Sequence, residues 1–274
     1  MRTLLLIAMM FLCGLLPCYA QQSFGVAYYN VDELYDTIPS PNNEQRRYRS
    51  PEPKHWSAER YQRKVRGVVQ VIDSMAMPVV GLYGVESEQV VRDIVSISNG
   101  DYAYLYERPQ TSANGLDFAL LYKADVLYPM RVTAWRGVLC VEAEVYGKPL
   151  TVVLTHRSIA LGVLYEQLVR RNAHKNLIVL GEPSNRGFAV LGLRDEMQQA
   201  VSAGRGNLFE NGRWQMRDRV ATNMRGVSQC DVFIGDWLLG GSGAPQPTFR
   251  RKLYYGGNGR RLPIFIYFAE VFEN

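Results

Sequence analysis

The sequence has no apolar run after residue 20 that is long enough for a transmembrane helix, which needs about 20 such residues. It also has no internal repeat, no low-complexity tract and no segment typical of a linker between domains. The net charge of +5 is only mildly basic, which is compatible with an anionic partner but does not by itself indicate nucleic-acid binding. We therefore expect one soluble domain over residues 21–274, with enough apolar residues for a sizeable core.

Apolar residues are concentrated in the first 20 positions, which have the three parts of a secretory signal peptide. Arg2 gives a positive start, an apolar run extends from Leu4 to Leu16, and Cys18-Tyr19-Ala20 precedes a cleavage point at Gln21. We predict removal of residues 1–20 and export of the chain to a periplasmic or extracellular space. The alternative, a lipoprotein acylated at Cys13 or Cys18, is disfavoured by Pro17.

Cysteine is scarce in the predicted mature chain, which retains Cys140 and Cys230. In an oxidising compartment these residues either form a disulfide or stay as two buried thiols. The sequence leaves both alternatives open.

Helical periodicity marks two segments. Ser57 is a suitable N-cap for a first helix, in which apolar residues recur from Tyr61 to Met75 at the spacing of one buried face. A second helix is indicated between Leu161 and Leu168. The stretch Pro39–Lys54 is rich in proline, asparagine and arginine and predicts a long exposed loop.

Strand-like runs outnumber the helices. They are short, apolar and rich in valine, tyrosine and isoleucine, as buried strands are. The predicted strands are Phe24–Val31, Pro78–Val85, Tyr102–Tyr106, Phe118–Tyr122, Arg131–Trp135, Val138–Val145, Leu150–Thr155, Leu177–Leu180 and Ile264–Phe268. Gly147-Lys148 predicts a tight turn between two of them. The simplest packing is two sheets face to face with helices outside.

Short motifs at the ends of these elements occur in a recognisable order. They are Tyr29–Asp36, Lys54–Tyr61, Val80–Glu86, Gly115–Tyr122, Leu154–Ser158, Val179–Asn185, Trp214–Arg219 and Arg260–Pro263. Together they resemble the endonuclease/exonuclease/phosphatase superfamily, which has a DNase-I-like fold, and especially its exported bacterial branch. The resemblance implies an α/β (α+β) fold, a four-layered sandwich of two mainly antiparallel sheets with helices outside. It also implies hydrolysis of phosphodiesters or phosphomonoesters with a divalent cation such as Mg²⁺.

Four residues match the functional positions of that family. Asn30 matches the asparagine of the first strand, His156 the phosphate-site histidine, and Asp218 the aspartate that supports a catalytic histidine; Asp117 matches as well. Three of them also have a simpler interpretation. Asn30 would then cap a turn, His156 would lie in the core, and Asp218 would be a salt-bridge partner.

Other family positions have changed. The metal-binding glutamate is replaced by Gly84, and the aspartate of a Gly-Asp-Phe-Asn motif by Glu182. The C-terminal aspartate and histidine are replaced by Arg260 and Arg261. No histidine follows His174, so a local shift cannot restore the general base.

Glu86 is the nearest carboxylate that could replace the one missing at position 84. It lies two residues further on and faces the same side if the strand continues. Alternatively, Glu86 and Glu88 begin the next helix, where carboxylates are favoured. Arg260 and Arg261 also change the electrostatics of the expected metal site. Both carry a permanent positive charge, which repels a divalent ion.

Three functions follow from these observations. The first is a degenerate, catalytically impaired domain that needs no cofactor and binds phosphate, nucleic acid or another anion, with Asn30, Asp117, Arg260 and Arg261 at the ligand. The second is an active enzyme with an altered site, in which His156, Glu182 and Asp218 are catalytic and Glu86 helps to bind Mg²⁺ or Mn²⁺. The third is a structural or interaction module at the cell envelope, with an envelope protein as partner.

One basic group decides between ligand binding and a simple surface role. Its members are Arg250, Arg251, Lys252, Arg260 and Arg261, and no acidic residue lies between them in the sequence. Such a group is either a solvated loop or an anion site.

Overall fold

Two six-stranded sheets form the centre of the protein. The structure, a computed structural model, describes residues 23–38, 56–107, 115–135, 137–157, 161–183, 188–250 and 253–269. The predicted signal peptide and the predicted loop Pro39–Lys54 lie outside these residues. Among the described residues, no helix has the length and apolar composition needed to cross a membrane.

The first sheet has the strand order β13-β16-β1-β2-β4-β3. Its strands are β1 (Phe24–Leu34), β2 (Val79–Val85), β3 (Ala103–Tyr106), β4 (Asp117–Tyr122), β13 (Val227–Val232) and β16 (Ile264–Phe268). β1 and β2 are parallel, and the remaining neighbours are antiparallel. The two central strands β1 and β2 are almost completely buried, because both faces of the sheet are covered.

The second sheet repeats this arrangement with the order β5-β6-β7-β8-β12-β9. Its strands are β5 (Leu127–Trp135), β6 (Val138–Val145), β7 (Lys148–His156), β8 (Leu177–Glu182), β9 (Arg194–Asp195) and β12 (Arg219–Thr222). Here β7 and β8 form the parallel pair. Two small hairpins lie outside the sheets: β10 (Leu208–Glu210) with β11 (Arg213–Gln215), and β14 (Phe249–Arg250) with β15 (Leu253–Tyr254).

Four α-helices accompany the sheets in the described residues: α1 (Ala58–Met75), α2 (Glu88–Ile97), α3 (Leu161–Arg170) and α4 (Gln198–Ser202). As expected, the Ser57 hydroxyl caps α1 by accepting a hydrogen bond from the Arg60 amide. Ser87 caps α2 in the same way, and Glu88 lies in its first turn, so the helix-start interpretation of Glu88 is confirmed.

The sheets pack face to face at close range. A methyl group added to Gly81 on β2 would collide with the side chain of Leu154 on β7. Helices α1 and α2 cover the outer face of the first sheet, and α3 covers the second sheet through contacts of Leu164 and Leu168. The result is the predicted four-layered α+β sandwich.

Several details differ from the sequence-based predictions. The turn between β6 and β7 is Tyr146-Gly147, not Gly147-Lys148, and both turn residues have positive φ, as two-residue hairpins require. The short strands between Arg194 and Tyr254 were not predicted. Cys140 and Cys230 are both free thiols, so the structure contains no disulfide between them.

Candidate functional site

The polar residues singled out in the sequence lie where central strands end. His156 is the last residue of β7 and Glu182 the last of β8, and these two strands are parallel and paired at this point. β12 runs antiparallel to β8, with Arg219 opposite Gly181, so Asp218 comes close to Glu182. The C-terminal segment reaches the same place through a bridge between Arg261 and Leu208.

The Arg261 guanidinium joins two of these carboxylates. Its Nη1 lies 2.5 Å from Asp218 Oδ1, and its Nη2 lies 2.5 Å from Glu182 Oε2. Only 12% of its side chain is exposed. Burial opposes the positive charge, but Asp218 and Glu182 outweigh this effect and raise the pKa of Arg261. The cation is therefore fixed between two anions and stays charged at every physiological pH.

Asp218 is buried and has a second partner. Asn207 donates from Nδ2 to Asp218 Oδ2 at 2.5 Å, and its Oδ1 accepts the backbone N–H groups of Arg217 and Asp218. Burial raises the pKa of Asp218, and the Arg261 guanidinium opposes that shift. Both carboxylate oxygens of Asp218 are thus engaged by side chains of this chain.

Glu182 is also engaged at both oxygens. Arg157 Nε lies 2.6 Å from Oε1, on the side away from Arg261. Burial alone would raise the pKa of Glu182, but Arg261 and then Arg157 lower it, so the carboxylate is ionised at neutral pH. An ionised group held by two guanidinium ions is poorly suited to accept a proton.

His156 packs as a neutral aromatic ring. It stacks on Tyr83 with ring centroids 3.9 Å apart and an interplanar angle of 19°. Burial lowers its pKa to about 4, so it is uncharged at neutral pH. Its Nδ1 lies 3.8 Å from Glu182 Oε2 and has no hydrogen-bond partner among the described residues.

The backbone at Gly84 has a conformation that favours glycine. Its φ is +97°, and the pairing of β2 with both neighbours shifts register around it. A residue with a Cβ is strained at this φ, although the nearest atoms, Asp32 N and Asn30 Oδ1, would be 3.5 and 3.6 Å away. Asn30 Oδ1 accepts the Asp32 N–H at 3.0 Å, as the turn-capping interpretation predicts.

Glu86 and Asp117 lie on the neighbouring part of the first sheet. β2 ends at Val85, so the strand does not continue through Glu86. Glu86 Oε2 accepts the Asp36 N–H at 2.8 Å, and the Glu86 carbonyl accepts the Tyr106 hydroxyl at 2.9 Å. Asp117 begins β4 and is buried opposite Val85.

These residues do not fit a bound Mg²⁺ or Mn²⁺, which requires several carboxylate, carbonyl or water oxygens around one point. Position 84 supplies no carboxylate, and the oxygens of Glu182 and Asp218 are already bonded to arginine and asparagine side chains. Within the part of the chain that the structure describes, no group of three or more His, Cys, Asp or Glu residues could hold a metal ion.

A groove of about 550 Å³ opens beside this ion-pair cluster, and we call it the arginine groove. Its basic lining residues are Arg157, Arg217, Arg250, Arg260 and Arg261, and its apolar wall includes Phe209, Pro247 and Phe249. Arg251 and Lys252 of the predicted basic group lie outside the described residues.

Arg260 has a different partner from Arg261. Its Nη2 lies 3.0 Å from Asp32 Oδ1, and its Nε lies 3.3 Å from Asp32 Oδ2. Even so, 63% of the Arg260 side chain is exposed. The two predicted arginines therefore differ in their surroundings. Arg261 is held between the buried carboxylates, whereas Arg260 is exposed to the groove.

Two partners in this site were not singled out from the sequence. Arg157 follows His156 directly, and Asn207 lies in a segment without a motif. Their roles depend on contacts with Glu182 and Asp218 that are 25 and 11 residues away along the chain. Only the position of Arg157 beside a predicted site residue could have indicated its role.

The fold and this site define a class: a four-layered α+β sandwich with polar residues gathered at the ends of its central strands. A sequence profile described as the endonuclease/exonuclease/phosphatase family matches residues 25–157. This match and the fold agree with the resemblance that the sequence motifs indicated. No sequence among curated proteins matches it significantly.

Solved structures show the same fold over most of the chain. An endonuclease/exonuclease/phosphatase family protein from Bacteroides thetaiotaomicron has a TM-score of 0.58 and 14% identity, over 91% of this chain and 95% of the other. A mannosyl-6-phosphatase from the same organism has a TM-score of 0.56 and 11% identity, over 89% and 98%. D. rerio TDP2 in complex with a single-strand DNA product has a TM-score of 0.54 and 14% identity, over 90% and 99%.

Proposed function

We propose that this chain is an exported member of the endonuclease/exonuclease/phosphatase family that does not hydrolyse phosphate esters and instead binds a phosphate-bearing anion in the arginine groove. The observation that carries this proposal is the double ion pair of Arg261 with Glu182 and Asp218. A fixed guanidinium ion stands between the two carboxylates at positions that are catalytic in the family's expected site.

Electrostatics argues against a divalent ion at this position. Two unit charges of the same sign about 5 Å apart oppose each other by roughly 3 kcal/mol at an effective dielectric constant of about 20. The repulsion doubles for a divalent ion, and Arg261 cannot be neutralised because its pKa is raised. A metal would also have to displace Arg157 from Glu182.

The groove supplies the chemistry of an anion site. Arg157 and Arg260 each use part of the guanidinium group for an internal carboxylate, while 64% and 63% of their side chains are exposed. Guanidinium groups bind phosphate oxygens through paired N–H donors. The mannosyl-6-phosphatase and the TDP2–DNA complex share this fold and act on, or bind, molecules that carry phosphate, which favours a ligand of the same class here.

The proposal is tested by three measurements on the mature wild-type chain. Calorimetric titration with Mg²⁺ and Mn²⁺ is expected to give no binding at the site. Assays with DNA and with a chromogenic phosphodiester are expected to give no metal-dependent hydrolysis. Fluorescence anisotropy is expected to detect binding of pyrophosphate, as a competitor, and of a labelled oligonucleotide, with weaker binding in Arg260→Met.

The alternatives give different results. Metal-dependent hydrolysis that disappears in His156→Ala and with a chelator would establish an altered enzyme. The interaction module would be favoured if the chain binds no anion and if its complex with a protein partner forms equally well when Arg260 is replaced. Lys175→Met removes an exposed positive charge outside the lining of the groove and serves as the matched control.

A further inference from the structure

A buried ammonium group supports the segment that forms one wall of the arginine groove. Lys64 lies on the inner face of α1, where the other buried side chains are aliphatic or aromatic, and only 2% of its surface is exposed. Burial of a charged group is unfavourable unless polar partners compensate for the lost water. The partners of Lys64 are therefore informative about its role.

Lys64 binds two oxygens that lie ten residues apart. Its Nζ is 2.6 Å from Thr248 Oγ1 and 2.9 Å from the Asn258 carbonyl oxygen. Thr248 immediately precedes β14, which carries Arg250, and Asn258 lies two residues before Arg260. One ammonium group thus holds the chain just before two of the groove arginines, Arg250 and Arg260.

Further hydrogen bonds make this attachment rigid. The Thr248 hydroxyl donates to the Gly257 carbonyl at 2.9 Å, and the Tyr29 hydroxyl donates to the Asn258 carbonyl at 3.0 Å. A side chain at Gly67 on α1 would collide with Asn258, so the helix and the segment are in direct contact, and a side chain at Gly257 would collide with Gln246 within the segment.

The attachment continues to Arg260. Gly259 has a φ of +135°, and a Cβ at this position would lie 3.2 Å from Asp32 Cβ. The next residue, Arg260, binds the Asp32 carboxylate. We propose that Lys64 is a positioning residue for the anionic ligand: it fixes the groove wall that carries Arg250 and Arg260, and its charge strengthens the attraction of the groove for anions. This inference rests on the proposed anion-binding function.

The charge of Lys64 changes in an accessible pH range. Burial lowers its pKa to about 8; the carboxylates of Asp32 and Glu33 oppose this shift, and Arg260 adds to it. Protonated Lys64 is present below about pH 8, and the charge is lost as pH rises through that value. The arginines stay charged throughout. Anion affinity is therefore expected to fall as pH rises.

The described histidine and cysteine side chains with shifted pKa values do not titrate in this range. The pKa of His156 is lowered to about 4, and burial raises the pKa of the Cys140 thiol to about 12. Burial also raises the pKa of Cys230 well above its usual range. A change in affinity near pH 8 can accordingly be assigned to Lys64 by comparing variants.

The experiment uses the mature full chain and a fluorescent oligodeoxyadenylate, whose phosphodiesters keep their charge between about pH 6.5 and 9.5. Anisotropy titrations give the Kd of wild type, Lys64→Met, Lys64→Arg and the exposed-lysine control Lys175→Met. In wild type and the control, Kd is expected to rise about fivefold through pH 8, the effect of one nearby charge in a partly screened site.

The two Lys64 variants should lose this pH step in different ways. Lys64→Met is expected to bind weakly at every pH, whereas Lys64→Arg keeps its charge and should show no step. If Lys64→Met does not fold, wild type and Lys64→Arg suffice for the comparison. Wild-type binding without a pH step, or an unchanged step in Lys64→Arg, would overturn the role of Lys64 alone. Failure of wild type to bind at any pH would instead overturn the proposed function.

Discussion

At the residue scale, three buried charged groups depend on one another. Asp218 is almost completely buried, Glu182 is nearly so, and the Arg261 side chain that joins them is 12% exposed. Each carboxylate also has a second donor, Asn207 for Asp218 and Arg157 for Glu182. Buried ion pairs contribute little net stability when intact, but loss of one partner is costly because the other charge stays buried.

Replacement of Arg261 by methionine is therefore expected to lower the free energy of unfolding by about 3–5 kcal/mol at neutral pH. The loss should shrink as pH falls toward about 4, because protonation removes the charges left on Glu182 and Asp218. In the variant, burial keeps the folded-state pKa of Asp218 above its unfolded value, so the contribution of Asp218 to stability decreases with rising pH. Urea unfolding at several pH values measures both effects.

Arg217 provides the matched control. It lies next to Asp218 in the sequence, and its guanidinium pairs with Glu210 at 3.4 Å, with 43% and 48% of the two side chains exposed. Arg217→Met should change stability by less than about 1 kcal/mol, since exposed pairs contribute little. An equal loss in both variants, or a pH-independent loss in Arg261→Met, would contradict the assignment of buried charges.

At the scale of elements, the distance between the sheets is set where β2 faces β7. Gly81 provides the space into which Leu154 packs. A close-packed interior cannot absorb an extra methyl group without moving its neighbours. The site depends on this distance, since Tyr83 on β2 stacks on His156 on β7.

Gly81→Ala is expected to destabilise the protein by about 1–3 kcal/mol through this collision. Combination with Leu154→Ala should cost less than the sum of the two single changes, because the smaller side chain makes room for the new methyl. Chemical unfolding of the four proteins of this double-mutant cycle measures the coupling. Additive losses would show that the two positions are not in contact.

A glycine without close neighbours gives the opposite result. Gly162 lies on α3, and an added Cβ would meet no atom within 4 Å. Gly162→Ala should stabilise the protein by about 0.5–1 kcal/mol, since alanine has the higher helix propensity.

The long elements were predictable from the sequence, and the short ones were not. β6 and β16 have the predicted bounds, because each is mostly apolar and buries most of its residues. β9, β14 and β15 contain two residues each, and their formation depends on partners elsewhere in the fold. A local pattern of alternation cannot develop over two residues.

At the scale of the whole molecule, order along the sequence predicted part of the site. The resemblance of the ordered motifs to the family placed His156, Glu182 and Asp218 in one site before the structure was known. The partners of Arg261 could not, since they depend on side-chain rotamers at the meeting point of β8, β12 and the C-terminal segment. The positive φ of Gly84 could not be predicted either, because the sequence shows a missing carboxylate but not the backbone conformation.

We expect divalent ions to leave the free energy of unfolding of the whole protein unchanged. A ligand that binds only the folded state raises stability, by about 4 kcal/mol when its concentration is about 1,000 times Kd. Melting temperatures in excess Mg²⁺ and in a chelator should therefore agree, whereas pyrophosphate should raise the melting temperature. A lower melting temperature with the chelator would contradict the proposed loss of the metal site.

The bond network of Arg261 has one more consequence. The Arg261 guanidinium is covalently part of the chain, so every molecule carries this cation, and neither dialysis nor a chelator can remove it. We therefore expect the contacts of Arg261 with Glu182 and Asp218 to be the same whether metal ions are scarce or abundant.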